Sequence, residues 1–186
     1  MQDELLIRRA QRGDADAFEQ LLLEHQKNVY NLCYRMAGNP DDAMDLSQET
    51  FLRAWRCLDQ YQFASAFSTW LYRLCSNICI DFLRRRRRQQ TVPLTFEDAD
   101  GEEQTYAVPD AQPLPEEQVE LKLTRETLAA AMAQLLPEHR AVLQLRVVNE
   151  MSYEQIADVL DIQIGTVKSR LSRARNQLKK ILERGN

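Results

Sequence analysis

Residues 152–182 read SYEQIADVLDIQIGTVKSRLSRARNQLKKIL, and the fold turns on how that stretch divides. Ser152 stands three residues before Gln155, the spacing of a capping box in which the Ser hydroxyl serves one orphan amide and Gln155 serves another. Ile156, Ala157 and Leu160 then supply the buried face of a helix barely two turns long. Asp161-Ile162-Gln163-Ile164 makes a tight connection, and a longer helix is expected from about Gly165-Thr166. Short helix, short turn, long helix is the layout of a helix-turn-helix.

The longer helix serves two environments. Val167, Leu171, Ala174, Leu178 and Ile181 recur at helical spacing and are fit for packing. Lys168, Ser169, Arg170, Ser172, Arg173, Arg175 and Lys179 fall elsewhere on it, and no acid occurs between Asp161 and Glu183. An apolar stripe that docks on partner helices, with Lys and Arg left to reach phosphates and base edges, is what a recognition helix in the major groove requires. Amides near Gly165 and Thr166 add partial positive charge for a phosphate. A merely solvated cationic helix is the alternative; the capping and the turn favour DNA.

Upstream, helical periodicity runs through most of residues 3–88. Phe18, Leu21, Leu22, Val29, Leu32, Cys33 and Met36 form one stripe. Gly38-Asn39-Pro40-Asp41 breaks it, with Asp41 or Asp42 placed to begin the next helix. That helix carries Leu46, Phe51, Ala54, Trp55 and Leu58. After a polar break near 59–66, Trp70, Leu71, Leu74, Cys75, Ile78 and Phe82 make a third stripe. It ends in Arg84 to Arg88, where cations suit the helix dipole. Helical patterning resumes at about Leu121, stops near Leu136-Pro137, and continues as a short helix over 138–149.

The overall charge of −4 conceals a segregation: residues 1–90 carry +1, residues 91–120 carry −9 with no base, and residues 121–186 carry +4. Residues 91–118 also hold Pro93, Pro109, Pro113 and Pro115 and few aliphatics, the composition of a flexible or extended linker. The expected architecture is all-α: two small helical domains, residues 1–90 and 119–186, joined by a flexible acidic linker over 91–118, the second a helix-turn-helix.

No apolar run approaches bilayer length, and Met1-Gln2-Asp3-Glu4 is acidic rather than signal-like, so a cytoplasmic protein is expected. Cys33, Cys57, Cys75 and Cys79 lie in apolar helical stretches and read as reduced thiols. Cys75 and Cys79 share a helix face, and His25 and Cys33 lie on another helix. Zinc ligands more often sit on tight loops, so core packing is the better reading and neither metal nor cofactor is expected. Neither His25 nor His139 stands beside a plausible nucleophile, and no Gly-rich phosphate loop is present, so no catalysis is expected.

Several of these stretches resemble one family. Gly165-Thr166-Val167-Lys168-Ser169-Arg170-Leu171 followed by Arg173-Ala174-Arg175 is similar to the promoter-reading helix of extracytoplasmic-function (ECF) sigma factors of bacterial RNA polymerase. Leu136-Pro137-Glu138-His139-Arg140 and Met151-Ser152-Tyr153-Glu154-Gln155-Ile156-Ala157 resemble the same domain. Asp14-Ala15-Asp16-Ala17-Phe18, Asp45-Leu46-Ser47-Gln48-Glu49-Thr50-Phe51 and Phe67-Ser68-Thr69-Trp70-Leu71-Tyr72-Arg73 resemble the family's other domain. Together they span nearly the whole chain in the expected order, apart from the linker.

The resemblance implies a role for each region. Asp45, Gln48, Glu49 and Phe51 match the segment that grips the clamp helices of the largest polymerase subunit, although spacing alone reads Asp45 and Glu49 as solvated acids one turn apart. The flap of the second-largest subunit is a further implied partner. Residues 62–77 match the element that captures the minus-ten promoter sequence by flipping a base into a pocket. Gln62, Ser65 and Ser68 match the pocket wall, and Asn77 a helix position near the strand. Trp70 and Tyr72 could stack on bases, with a core role for Trp70 equally open on spacing. Arg84, Arg85 and Arg86 suit backbone phosphates. Thr166, Lys168, Ser169, Arg170, Ser172, Arg173 and Arg175 match the helix that reads the minus-thirty-five element. The acidic linker matches the connector that threads through the polymerase, and its charge would repel DNA in the free protein. An anti-sigma protein and an extracytoplasmic or stress response are implied as well. The alternative is a helix-turn-helix regulator that binds DNA independently of polymerase, as a dimer on a palindrome.

Overall fold

The computed structural model describes residues 2–90 and 125–184, which form eight α-helices and, among the described residues, no strand. The acidic stretch 91–118 lies outside the described residues. The N-terminal half contains α1 (Gln2–Ala10), α2 (Ala15–Ala37), α3 (Pro40–Cys57) and α4 (Phe67–Gln90). The C-terminal half contains α5 (Arg125–Ala133), α6 (Pro137–Leu143), α7 (Tyr153–Leu160) and α8 (Ile164–Arg184).

Local chemistry sets the helix ends. Asp14 caps α2, its carboxylate accepting from the Ala17 amide at 3.0 Å, while Arg9 pairs with it at 2.7 Å. At the other end Gly38 adopts φ 85°, a left-handed conformation that costs glycine little, and donates its N–H to the Tyr34 carbonyl at 2.8 Å. The next cap differs from expectation. It is Asn39, not Asp41 or Asp42: the Asn39 side chain accepts from the Asp42 amide at 2.8 Å, and Pro40 occupies the first turn, where its missing N–H costs nothing. The polar break contains a 3₁₀ turn at Leu58–Gln60 and a left-handed Phe63 (φ 58°). The Gln11 side chain ties α1 to this loop, donating to the Leu58 and Tyr61 carbonyls at 2.9 Å each.

Leu21, Val29, Leu32 and Met36 of α2 pack with Ala54 of α3 and Leu71 and Ile78 of α4 to make the first core. In the C-terminal half, Val142, Leu145, Ile156, Val159, Val167 and Leu171 are buried together. The helix expected over 138–149 is α-helical only through Leu143. It then widens into a π-helical turn, Gln144–Val148, whose Gln144 and Leu145 carbonyls are met by the amides of Asn149 and Met151. The capping box forms in full, with Gln155 N–H to Ser152 Oγ at 3.2 Å and Ser152 N–H to Gln155 Oε1 at 2.8 Å. Asp161 (φ 54°) ends α7 in the left-handed conformation, and α8 starts at Ile164, slightly before the expected Gly165.

The two halves dock, with α4 against α6 and α7. Buried Arg140 donates from Nη1 to the Met36 carbonyl at 2.6 Å and from Nη2 to the Ala133 carbonyl at 2.5 Å. Met36 lies in the last turn of α2, the negative end of that helix, so a guanidinium is well placed there. Arg73 reaches the Asp158 carbonyl at 2.5 and 2.9 Å, and Arg84 pairs with Glu138.

Candidate functional site

Helix α3 carries two apolar stripes. Ala43, Leu46, Ser47, Thr50 and Ala54 point into the core, where the two hydroxyls are satisfied locally: Ser47 donates to the Met44 carbonyl at 2.8 Å and Thr50 to the Leu46 carbonyl at 2.7 Å. Met44, Gln48, Phe51, Leu52 and Trp55 follow at three- and four-residue steps on a second side. With Phe18, Leu22 and Tyr30 of α2 they line an open groove of about 670 Å³. Met44 and Leu52 are half exposed, at 50% and 52%, and Trp55 stacks at a tilt on Phe18 with centroids 4.9 Å apart. Of the four residues expected to grip the polymerase, Gln48 and Phe51 line this groove. Asp45 and Glu49 are exposed on the same helix, one turn apart, and do not line it. Met44 and Leu52 are additions that the sequence reading did not name, and Trp55, read there only as part of the apolar stripe, lines the groove as well.

At the start of α4, Gln62 is exposed and Ser65 and Ser68 are half-buried. Tyr61 holds the loop by donating its hydroxyl to the Ser65 carbonyl at 2.6 Å. Trp70 belongs to an aromatic cluster, 5.3 Å from Tyr61 and 5.6 Å from Phe67 between centroids, so its ring is committed to packing. Tyr72 is half-buried as well: burial pushes its phenol up, opposed by a hydrogen bond with Asn149. Asn77 is exposed, but about nine residues of helix, roughly 14 Å, separate it from Ser68.

Asn77 instead joins Arg53, Asp81, Arg84, Glu138 and Arg170 around a cleft of about 340 Å³ between the halves. Arg84 Nε donates to Glu138 at 2.7 Å. Burial works against the ionised form of Glu138, but its own amide, Arg84 and Arg170 outweigh it, and the carboxyl is held below its ordinary value. Arg86 pairs with Asp42 at 2.7 Å, and Arg85 donates to the Asp81 carbonyl at 3.3 Å. The arginines expected to meet phosphates are therefore occupied within the chain in this arrangement.

On α8, Val167, Leu171 and Ala174 are buried and Leu178 and Ile181 half-buried, as the stripe predicts. Thr166, Arg170 and Arg173 lie along one line of the helix surface, and Lys168, Ser172 and Arg175 along another. Lys168, Arg173 and Arg175 are exposed, whereas Thr166, Ser169, Arg170 and Ser172 are half-buried. Ser169 donates its hydroxyl to the Thr166 carbonyl at 3.0 Å.

Among the described residues, two side-chain groups have metal-ligand character. Cys33, Cys75 and Cys79 meet inside the N-terminal half, and Asp3, Glu24 and His25 meet nearer its surface. No described helix is long and apolar enough to cross a membrane.

Comparison with known proteins finds matches over both halves. Residues 21–89 match the family model for Sigma-70 region 2, and residues 125–178 match that for Sigma-70, region 4. The ECF RNA polymerase sigma factor SigW of Bacillus subtilis is 33% identical over 176 residues, 95% of this chain and 94% of the relative. Among solved structures, CnrH in complex with the cytosolic domain of CnrY superposes with a TM-score of 0.68 at 25% identity, covering all of both chains. The sigma factor RpoE in complex with the anti-sigma factor NepR from Bartonella quintana gives 0.61 at 28% identity over 89% of this chain and 96% of the other.

Proposed function

Since the chain belongs to the ECF sigma factors of bacterial RNA polymerase, we propose a residue-level account of how it directs core polymerase to promoters and assists initiation. Its surfaces divide the work. The groove between α2 and α3, with Gln48, Phe51, Met44, Leu52 and Trp55, takes the clamp helices of the largest subunit, and Asp45 and Glu49 beside it pair with basic residues at the rim. An apolar centre with charged edges is the usual anatomy of a protein interface.

Gln62, Ser65, Ser68, Asn77 and Arg84, Arg85 and Arg86 serve the minus-ten strand. Trp70 acts as the packed floor of that region rather than as a stacking platform. Lys168, Arg170, Arg173 and Arg175 on α8, with Thr166, Ser169 and Ser172, serve the minus-thirty-five duplex. These roles assign residues 1–90 and 119–186 to two domains tethered by 91–118. An anti-sigma protein, such as the one bound to RpoE, would find the exposed groove and the docked halves ready to be held together. A cytoplasmic location and the absence of any catalytic step follow from the same reading.

One observation carries the account. A single chain joins an apolar groove that no described residue covers to a capped helix-turn-helix whose second helix has no acid from Ile164 to Leu182. Because Arg84 and Arg170 face Glu138 in the docked arrangement, promoter engagement requires the halves to separate and free them. The test is transcription by purified core polymerase on a promoter library, with and without the chain. Arg170→Ala with Arg173→Ala should reduce use of the upstream element and leave core binding intact; loss of core binding instead would reverse the domain assignment. A chain that binds palindromic DNA tightly as a dimer without polymerase would restore the independent-regulator reading.

A further inference from the structure

Three thiols meet at the centre of the N-terminal half, and neither polymerase nor promoter binding uses them. Cys33 comes from near the C-terminal end of α2, and Cys75 and Cys79 from successive turns of one face of α4. All three are fully buried and unoxidised. The Cys33 sulfur is 3.4 Å from that of Cys75 and 3.8 Å from that of Cys79, and all three sulfurs lie within 4.8 Å of one another. A buried cysteine commonly acts as a small apolar side chain. Three converging on one point from two helices have the geometry of a ligand set.

The distances narrow the class of ion. Bonds of about 2.3 Å to sulfur separate the sulfurs by roughly 3.4–3.8 Å at pyramidal to tetrahedral angles, and by about 4.0 Å in a planar trigonal complex. The two distances from Cys33, 3.4 and 3.8 Å, suit the first, with Cys75 and Cys79 within 4.8 Å of each other. Thiolates select soft centres, and the surroundings select by charge. Besides one another, the three thiols interact with the Thr50 hydroxyl, the Tyr72 phenol and the backbone, with no cation among these described groups. Three thiolates around Zn(II) would leave a buried charge of −1 and lack a fourth ligand; around Cu(I) they would leave −2. Uncompensated charge in a dry interior is costly. A trivalent centre leaves none.

We propose that Cys33, Cys75 and Cys79 form a preorganised three-thiolate site for a trivalent thiophilic centre of the arsenous-acid class. The reaction is As(OH)₃ + 3 RSH → As(SR)₃ + 3 H₂O. Three As–O and three S–H bonds break, three As–S bonds form, and each hydroxide leaves as water with one thiol proton. Arsenic remains trivalent and no electron is transferred. Cys33, whose sulfur lies within 3.4 and 3.8 Å of the other two, opens the sequence and Cys75 and Cys79 complete it, each thiol giving its proton to the hydroxide it displaces. The bound centre clamps α2, one wall of the polymerase groove, to α4, the promoter-melting helix.

The experiment titrates the full chain, reduced with a phosphine, with sodium arsenite under native mass spectrometry and thermal melting. The expected adduct is one arsenic less three hydrogens per chain, with a Tm rise of roughly 4–8 °C at saturation. Cys57→Ala retains it, while Cys75→Ala or Cys79→Ala weakens it at least about tenfold. Should the alanine variants fail to fold, melting of the unaltered chain in arsenite and in urea decides. A lowered Tm, or an adduct formed only in urea, means that arsenite traps the unfolded chain, and the proposal fails. It fails equally if no adduct forms, if one persists without Cys33 and Cys75, or if Zn(II) or Cu(I) binds in preference.

Discussion

The two halves turn opposite chemistry outward. In the N-terminal half, α3 has more apolar residues than its core can absorb, and the surplus of Met44, Phe51, Leu52 and Trp55 lies open along a groove. In the C-terminal half, α8 buries Val167, Leu171 and Ala174 against its neighbours, and its exposed side is cationic. The first surface gains by excluding water from apolar area and should be nearly indifferent to salt. The second gains by releasing counterions from a polyanion and should weaken steeply as salt rises. On the proposed assignment of surfaces, one chain would distinguish its protein partner from its nucleic-acid partner by the kind of surface it presents to each.

The largest effect should come from spoiling the groove. Leu52→Asp or Trp55→Ala is expected to cost about 2–4 kcal/mol in core polymerase binding, roughly 30- to 700-fold in Kd, because aromatic and apolar anchors dominate such interfaces. Fluorescence anisotropy of labelled chain against core polymerase measures it, and circular dichroism checks that the helices survive. If affinity holds while the fold is intact, the groove is not the docking surface and the contrast between the halves loses its first term.

Arg170→Ala and Arg173→Ala address the second. Each should cost about 1–3 kcal/mol if it reads a base, confined to the upstream element, or lower the salt slope by about one if it meets a phosphate. Binding of the holoenzyme to promoter fragments at several salt concentrations separates the two outcomes. A loss that is the same with the upstream element deleted would place these residues away from it.

How far the sequence discloses these surfaces differs between the halves for the same reason. Around α7 and α8 the signals are local: Ser152 and Gln155 meet within one turn, and burial of Val167 and Leu171 follows from their spacing. Periodicity alone hides the groove because it counts apolar residues without saying whether an element stands opposite them: on spacing Trp55 and Phe51 read as core alongside Leu46 and Ala54, and only the family resemblance sets Gln48 and Phe51 apart. Trp70 was ambiguous until its neighbours Tyr61 and Phe67 came into view. Nor could spacing show that Arg140 would reach Met36, or that Cys33 would meet Cys75 and Cys79, because those encounters join helices far apart in the chain. The two aspartates after Pro40 mask Asn39 as the cap, although Pro40 at the first helical position points to it.

A smaller effect tests the local signals directly. Ser152→Ala removes the acceptor for the Gln155 amide and should destabilise the C-terminal half by about 1 kcal/mol. Thermal melting followed by circular dichroism would register it, and the groove's affinity for core polymerase should not change. A cost spread equally over both halves would mean that they unfold as one unit.

The smallest effect concerns the contact between the halves. Glu138 is 21% exposed and its partner Arg84 49%, so solvent screens the pair and its contribution is about 0.2–1 kcal/mol. Its sign with pH is fixed nonetheless. Despite the opposing effect of burial, Glu138 is held below its ordinary value of 4.5 by its backbone amide, Arg84 and Arg170. The docked state therefore binds fewer protons there than the undocked state, so the stabilisation is fully present above 4.5 and disappears as pH falls through the lowered value. Small-angle scattering of the free chain should show a larger radius of gyration below that range, and Glu138→Gln should remove this part of the dependence. High salt should loosen the halves at neutral pH through the same pair. If Glu138→Gln opens with the wild-type pH profile, another carboxylate governs the docking, and Arg84 is restrained by something other than its ion pair.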